Sequence, residues 1–202
     1  MRSVTMSGTP VRAWSGVAVS TLGYALLGLL GRDDLTGYDL SLLLKEPLGF
    51  YWHARHSQIY PELAKLERGG FVKHKLVRQS ERPDKKIFTL TKSGRAALRE
   101  WVTSPLRERH ARDELVLRVA SLWAADKRKV RGLLTDELRQ HRALLRRHEK
   151  VARDTETRWP QRIAQASNPM FCEYATLRRG IGYEREVVSW LKWTLGRLGD
   201  RT

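Results

Sequence analysis

The chain has 202 residues, and its 38 Lys and Arg against 22 Asp and Glu give a formal net charge of +16. This excess favours a polyanionic partner, nucleic acid first and an anionic membrane surface second, although a generally basic soluble protein is the alternative. The single cysteine, Cys172, excludes an intramolecular disulfide and a paired-cysteine metal or redox site, and it suits a reducing cytoplasm.

The N-terminal part of the chain contains a largely apolar run, residues 17–30, which resembles a secretion signal at first sight. It is followed by no small-residue cleavage site, and it is shorter than the roughly 20 residues that a membrane-spanning helix needs. We therefore expect a core helix of a cytoplasmic protein that has no membrane partner. Residues 1–19 are predicted to be a flexible extension.

Three helices are predicted next. The first begins at Ser20 or Thr21, either of which can cap it, and carries leucines at helical spacing. Thr36 caps a short second helix. The third begins near Ser57, with Pro61 in its first turn, where a missing N–H costs little. Its apolar stripe must face inward and consists of Ile59, Leu63 and Leu66.

A β-hairpin and a fourth helix follow. Glycines at 69–70 end the third helix, and residues 71–78 and 85–90 alternate like paired strands around a polar turn. Thr91 caps a helix that runs to about Thr103. Its predicted buried side carries Leu98, Trp101 and Val102. Three helices and a hairpin predict a winged helix-turn-helix, so the fold class is mainly α with a small β-hairpin.

The rest of the chain is predicted to be helical. A helix over residues 114–125 precedes a long helix capped by Asp126, and Asn168 caps the last helix. Gly180 and Gly182 interrupt that last helix and mark a kink or a close helix crossing.

These C-terminal helices have broad apolar faces but no sheet or large domain to cover them. The simplest cover is a second copy of the chain, packed in coiled-coil fashion as a homodimer. The residues assigned to this interface are Leu134, Leu138, Leu145, Val188, Leu191 and Leu195.

The third helix and the hairpin together predict a DNA-binding surface. Residues 55–95 contain 11 Lys and Arg against 4 Asp and Glu, a net charge of +7. The start of a recognition helix reaches base edges while flanking cations hold phosphates. The amide of Gln58 could form two hydrogen bonds with adenine, and Lys65 is placed to contact a phosphate. The assigned residues are Tyr38, Arg55, His56, Ser57, Gln58, Tyr60, Lys65, Lys75, Arg78, Arg82, Lys85 and Lys86. For the hairpin alone, a solvated basic face is the alternative.

Several blocks of the sequence resemble the PadR family of transcriptional regulators. They are LGYALLGLL (22–30), LTGYDL (35–40), HSQIYPEL (56–63) with Lys65-Leu66, and FTLTKSG (88–94). DELVLR (113–118) and YEREVVSWL (183–191) resemble the longer-tailed branch of that family. The resemblance covers about residues 20–199.

The resemblance implies a homodimer held by C-terminal helices, which represses nearby genes until an effector binds. Residues 20–104 would then be the DNA-binding domain and residues 105–202 the dimerisation and effector domain. Two recognition helices in a dimer would read a pseudo-palindromic operator in double-stranded DNA.

A small aromatic effector, such as a phenolic acid or a drug, would need flat apolar walls and a few polar anchors. The candidate residues are Tyr24, Trp123, Phe171, Tyr174 and Trp190. Aromatic residues at helical spacing are core residues more often than ligand contacts, and that interpretation stays open for each of them.

An enzyme is not expected, because the sequence lacks the nucleophile-elbow, P-loop, zinc-protease and dinucleotide motifs. No cofactor is predicted. No metal is predicted either, because His141 and His148 stand seven residues apart and cannot share one ion. The alternative function is a helical adaptor whose winged helix binds protein rather than DNA.

Overall fold

The computed structural model describes residues 18–44, 56–78, 84–106 and 113–199. The chain divides into two units, Met1–Arg107 (unit 1) and Glu108–Thr202 (unit 2). The functional roles expected for residues 20–104 and 105–202 stay predictions. The expected flexible extension lies almost wholly outside the described residues.

In the part of unit 1 that the structure describes, four helices combine with a small antiparallel sheet. Its elements are α1 (Thr21–Leu30), β1 (Leu35–Thr36), α2 (Gly37–Leu43), α3 (His56–Arg68), β2 (Val72–Val77), β3 (Lys85–Leu90) and α4 (Lys92–Thr103). The strand order is β1-β3-β2, so the predicted hairpin gains a third, two-residue strand at its edge. The predicted winged helix, mainly α with a small hairpin, is confirmed.

The core of unit 1 confirms the predicted inner face of α3. Ile59, Leu63 and Leu66 are 1%, 0% and 1% exposed, and they pack with leucines of α1 and α2. The prediction for α4 was partly wrong, because Val102 is 67% exposed and Trp101 is 37% exposed. The buried residues of α4, Gly94 and Ala97, are small. They let the helix pack close to the core of unit 1 without a stripe of large apolar side chains.

Unit 2 is built from helices. Its elements are α5 (Glu114–Ala120), a 3₁₀ turn (Leu122–Ala124), α6 (Lys127–Arg158), α7 (Pro160–Ile163) and α8 (Pro169–Arg197). Asp126 and Asn168 cap α6 and α8 as predicted. The helix expected over residues 114–125 ends earlier, because the backbone departs from helical geometry at Ser121.

Helices α6 and α8 pack against each other along two apolar clusters. The first joins Val130, Leu134 and Leu138 of α6 to Val187, Val188 and Leu191 of α8. The second joins Ala152 of α6 to Leu177 and Ile181 of α8. The expected interruption of α8 was wrong, because the helix continues through Gly180, which is buried, and Gly182. Packing of the helix offsets the cost of about 1 kcal/mol for each glycine.

This seam corrects the argument for a dimer. The six residues assigned to the interface are buried or half-buried between α6 and α8 of one chain. A second copy is therefore not needed to cover these faces, since the two helices cover each other. Among the described residues, no helix is both long enough and apolar enough to cross a bilayer.

Candidate nucleic-acid interface

The start of α3 presents polar side chains outward while its apolar stripe anchors the helix. Ser57 and Gln58 are exposed, and the Tyr60 side chain is 46% exposed. Lys65 is exposed one to two turns further along. His56 begins the helix, and Arg55 lies outside the described residues. Since the opposite face is buried, the polar side chains of α3 lie on its solvent-facing side.

Pro61 lies later in α3 than expected. It is the sixth residue of the helix, beyond the first turn, because α3 begins at His56. Its nitrogen has no hydrogen to donate to the carbonyl of Ser57, so the helix lacks one interior hydrogen bond there. The buried residues on either side, Ile59 and Leu63, hold the helix in place despite that loss.

The C-terminal end of α3 connects this helix directly to the hairpin. Gly70 has a φ of +70°, and the Phe71 N–H donates to the Leu66 carbonyl at 2.9 Å. This geometry is a Schellman motif, which only glycine adopts readily. At the same end, Glu67 of α3 contacts His74 of β2 at 2.5 Å. The turn and the side-chain pair thus orient the hairpin relative to α3.

Tyr60 packs against the first residue of α2. A Cβ at Gly37 would lie 2.6 Å from Cε1 of the Tyr60 ring, so only glycine leaves room for the ring. Thr36 and Asp39 form a capping box at this end, with the Thr36 hydroxyl donating to Asp39 at 2.6 Å. Tyr38 is 60% exposed on the same helix.

The capping box also sets the charge of Asp39. The hydroxyl and the backbone N–H of Thr36 both donate to its carboxylate and hold the pKa below its usual range, and Lys85 of the hairpin lowers it further. Asp39 therefore stays ionised close to a cation that was assigned to DNA.

A contact that the sequence did not indicate joins α3 to the start of α1. The Ser20 hydroxyl caps α1 by accepting from the Gly23 N–H, and it donates to Glu62 of α3 at 2.6 Å. In the sequence, Glu62 is one of the four acidic residues that oppose the cations of residues 55–95. Its position on the half-buried side of α3 makes it a link between two helices.

The hairpin distributes its cations over both faces. The register pairs Lys75 with Ile87 and Val77 with Lys85, so Lys75 and Lys85 share the outer face. Lys86 lies on the core-facing side, beyond the buried Phe88. Lys75, Arg78, Lys85 and Lys86 are all exposed, and Arg82 lies outside the described residues. The hairpin therefore offers a cationic outer face beside α3.

The effector candidates are distributed over both units of the chain. Tyr24, in unit 1, stacks on Trp101 with ring centroids 4.6 Å apart, and burial raises its pKa, helped by Glu100. In unit 2, Trp123 is 89% exposed and Phe171 is half-buried.

Tyr174 and Trp190 are both half-buried on α8, but they belong to different apolar clusters. They lie about 24 Å apart along the helix. No single small ligand can contact both within one chain.

The two histidines of α6 lie at the seam with α8. His141 Nδ1 contacts Glu184 Oε2 at 2.6 Å, and His148 is 1% exposed. Burial lowers the pKa of His148, while the charge of Glu184 acts in the opposite direction. Within the described parts of the chain, no three His, Cys, Asp or Glu side chains form a group that could hold a metal ion.

Both units match known families. Residues 26–100 match the model of the transcriptional regulator PadR-like family, and residues 111–199 match the virulence activator alpha C-term model. The chain is 34% identical to the negative transcriptional regulator PadR of Bacillus subtilis over 184 residues, which are 88% of this chain and 97% of that protein.

Solved structures of a PadR protein are also similar to this chain. The crystal structure of Bacillus subtilis PadR in complex with operator DNA has a TM-score of 0.78 and 33% identity, covering 89% of this chain and 100% of that chain. The crystal structure of the same protein in complex with p-coumaric acid has a TM-score of 0.72 and 32% identity, covering 89% and 99%.

Proposed function

Since the chain belongs to the transcriptional regulator PadR-like family, we propose that it acts as a homodimeric repressor of a pseudo-palindromic operator. Membership makes it a DNA-binding transcriptional regulator and not an enzyme. Repression is supported by the similarity to a protein named as a negative regulator, which has been crystallised with operator DNA.

The observation that carries the proposal is the outward polar start of α3 beside a cationic hairpin. Gln58 and Tyr60 stand where a recognition helix meets base edges, and the cations of the hairpin suit the phosphates on either side. Because the phosphate contacts release counterions, affinity for DNA should fall steeply as salt rises.

Selection of bound genomic fragments tests this function. We expect a small set of related fragments, including some that flank the gene for this protein. The double substitution Gln58→Ala/Tyr60→Ala should abolish their selective binding without changing the oligomeric state. The control, Arg95→Ala/Arg99→Ala, alters two exposed cations on α4 and should retain selection. Normal selection by the Gln58/Tyr60 variant would refute the role of α3, and no selected fragment at all would favour the protein-binding adaptor.

The homodimer is proposed to use apolar residues that unit 2 leaves exposed. Trp123 is 89% exposed, Leu117 67% and Trp193 61%, whereas the leucines assigned from the sequence serve the seam within one chain. Exposed apolar groups of this size are typical of an interface. Leu117→Glu/Trp123→Glu should therefore sediment as a monomer with its helix content intact. Val151→Glu, at a 43% exposed position of α6, is the control and should remain dimeric.

The effector is proposed to be a small aromatic acid that releases DNA. The support is the p-coumaric acid complex of Bacillus subtilis PadR, together with the aromatic side chains of unit 2. A titration with p-coumaric acid should quench tryptophan fluorescence and release a labelled operator fragment over the same concentration range. Quenching without release would refute the proposed regulation.

A further inference from the structure

Helix α6 carries a second cationic surface, on unit 2 and outside the residues already assigned to DNA. We call it the basic stripe, and it consists of Arg128, Arg131, Arg139, Arg142, Arg146, Lys150 and Arg153. All seven side chains are exposed. At 3.6 residues per turn they fall within an arc of about 100°, and they extend about 38 Å along the helix.

The stripe contains few acidic neighbours. Arg139 pairs with Asp136 at 2.8 Å, and Arg131 donates to the Leu198 carbonyl at 3.4 Å. Glu149 lies at the edge of the arc and pairs with Arg185 of α8 at 2.7 Å.

The four cations nearest the C-terminal end of the stripe form no ion pair within the ranges that the structure describes. They are Arg142, Arg146, Lys150 and Arg153. A solvated helix face usually alternates charges of opposite sign, and this face does not.

The spacing makes these cations repel one another. Arg142 and Arg146, and then Arg146 and Lys150, stand four residues apart, which places like charges on adjacent turns. Helix α6 also begins with three consecutive cations, residues 127–129, and has no acidic residue in its first turn. The helix dipole disfavours cations at that end. An anionic partner would relieve both kinds of repulsion.

One end of the stripe opens into a cleft between α6 and α8. Arg153 shares it with Arg178 and Arg185, above a floor of Ala152 and Ile181. Glu149 and Glu156 also line the cleft, so its guanidinium groups are only partly neutralised. Arg185 pairs with Glu149 and Arg178 lies 4.0 Å from Glu156, so the cation that the stripe adds to the cleft is Arg153.

We propose that the basic stripe is a second DNA-binding surface, which contacts the phosphates of duplex DNA without reading sequence. Double-stranded DNA carries about one negative charge per 1.7 Å, a density that a linear array of cations complements. The proposal rests on the proposed function in one respect. The winged helix raises the local concentration of DNA, which adds to the phosphate contacts of the stripe, and those contacts also act without it.

The composition of the arc favours duplex DNA over other polyanions. Between its cations lie Gly132, Thr135 and Thr157, with no aromatic side chain on which unpaired bases could stack. The arc also lacks the apolar residues that a helix inserts into a lipid surface. The exposed cations of the stripe, spaced along one helix face, complement the regularly spaced phosphates of a DNA backbone.

The test uses the full-length protein and a mixed-sequence DNA duplex of about 60 base pairs, roughly 200 Å long. The stripe variant is Arg142→Gln/Arg146→Gln/Lys150→Gln/Arg153→Gln. The control, Arg158→Gln/Arg162→Gln/Arg179→Gln/Lys192→Gln, removes the same charge from exposed positions outside the stripe. Both are made in the wild-type chain and in a background that carries Gln58→Ala, Tyr60→Ala and Lys75→Gln.

In both backgrounds, the stripe variant should bind the duplex about tenfold more weakly at moderate salt. The slope of log affinity against log salt should become shallower by about 3.6, since each of the four lost phosphate contacts contributes about 0.9. The control should change affinity less than about twofold, which separates local contacts from net charge. If the four-residue variant unfolds, Arg146→Gln/Lys150→Gln should change the slope by about 2.

Equal losses in the stripe and control variants would overturn the proposal, as would unchanged binding by the stripe variant. A loss confined to an RNA duplex of the same length, or to anionic vesicles, would overturn the assignment to DNA. Loss of selected fragments in the Gln58/Tyr60/Lys75 background reports on the winged helix alone. Failure of the proposed function and failure of the stripe therefore give different results.

Discussion

At the scale of single residues, Gly94 determines how α4 joins the sheet. A Cβ at this position would overlap the carbonyl oxygen of Phe71, which accepts from the Thr91 N–H at 3.1 Å and from the Thr91 hydroxyl at 3.0 Å. Gly94→Ala must displace backbone, so we expect a loss of about 3 kcal/mol in the free energy of unfolding, measured by denaturant titration. Gly28→Ala, with open space around its Cβ, is the control and should not destabilise the protein.

A second glycine tests the position of Tyr60 without removing its side chain. In Gly37→Ala the new methyl group would displace the Tyr60 ring, whose far end can move at little cost in stability. We expect affinity for a selected DNA fragment to fall several-fold while thermal stability changes little. In a Tyr60→Ala background the same substitution should have no further effect on affinity, as a double-mutant cycle would establish. An additional loss in that background would mean that Gly37 acts through another contact.

At the scale of elements, the α6–α8 seam should respond to acid. Burial holds the pKa of His148 below its ordinary value of 6.5, so below that pH the unfolded chain binds more protons than the folded one. The contribution of neutral His148 to the free energy of unfolding is present above pH 6.5. It is lost as the pH falls through the lower pKa that His148 has in the folded chain. Glu184, across the seam, opposes this effect.

His148→Leu should therefore reduce the destabilisation of unit 2 between about pH 8 and pH 5. Helix melting followed by circular dichroism at both pH values provides the measurement. The same acid sensitivity in the variant and in the wild-type chain would contradict a role for His148.

Most elements were predictable because their ends carry local signals. Thr91, Asp126 and Asn168 each accept a hydrogen bond from a backbone N–H of the helix that they begin, as their side chains predicted. β1 was missed because two residues are too few to display an alternating pattern. The Ser20–Glu62 hydrogen bond was missed because it joins residues 42 positions apart. No local pattern encodes such a contact.

At the scale of the whole molecule, sequence reasoning predicted the winged helix, whereas the C-terminal leucines that it assigned to a second copy pack against one another within one chain. An apolar stripe in the sequence indicates that one face of a helix is buried. It does not indicate whether the surface that buries it belongs to the same chain or to a second copy. Leu134 and Leu191 are both 0% exposed within one chain. The exposed Trp123 showed no distinguishing pattern in the sequence, because its exposure depends on where the chain turns after α5.

The scattering of the effector candidates has a similar cause. The candidates share an aromatic side chain, and the type of a side chain does not determine how far apart two residues lie in the fold. Tyr174 and Trp190 lie on one element yet far apart. The residues proposed to contact DNA were easier to place on one surface, because Ser57, Gln58 and Tyr60 are neighbours in sequence and therefore neighbours on the first turns of α3.

Each unit buries an apolar core of its own, one around Leu26 and Leu63 and others between α6 and α8. A lesion confined to the first core leaves the residues of the second intact. In a cell that also makes normal copies, the proposed homodimer would then form between damaged and normal chains. Each mixed dimer would contain only one intact winged helix. Mutations that damage the winged helix should therefore be genetically dominant over the wild-type allele.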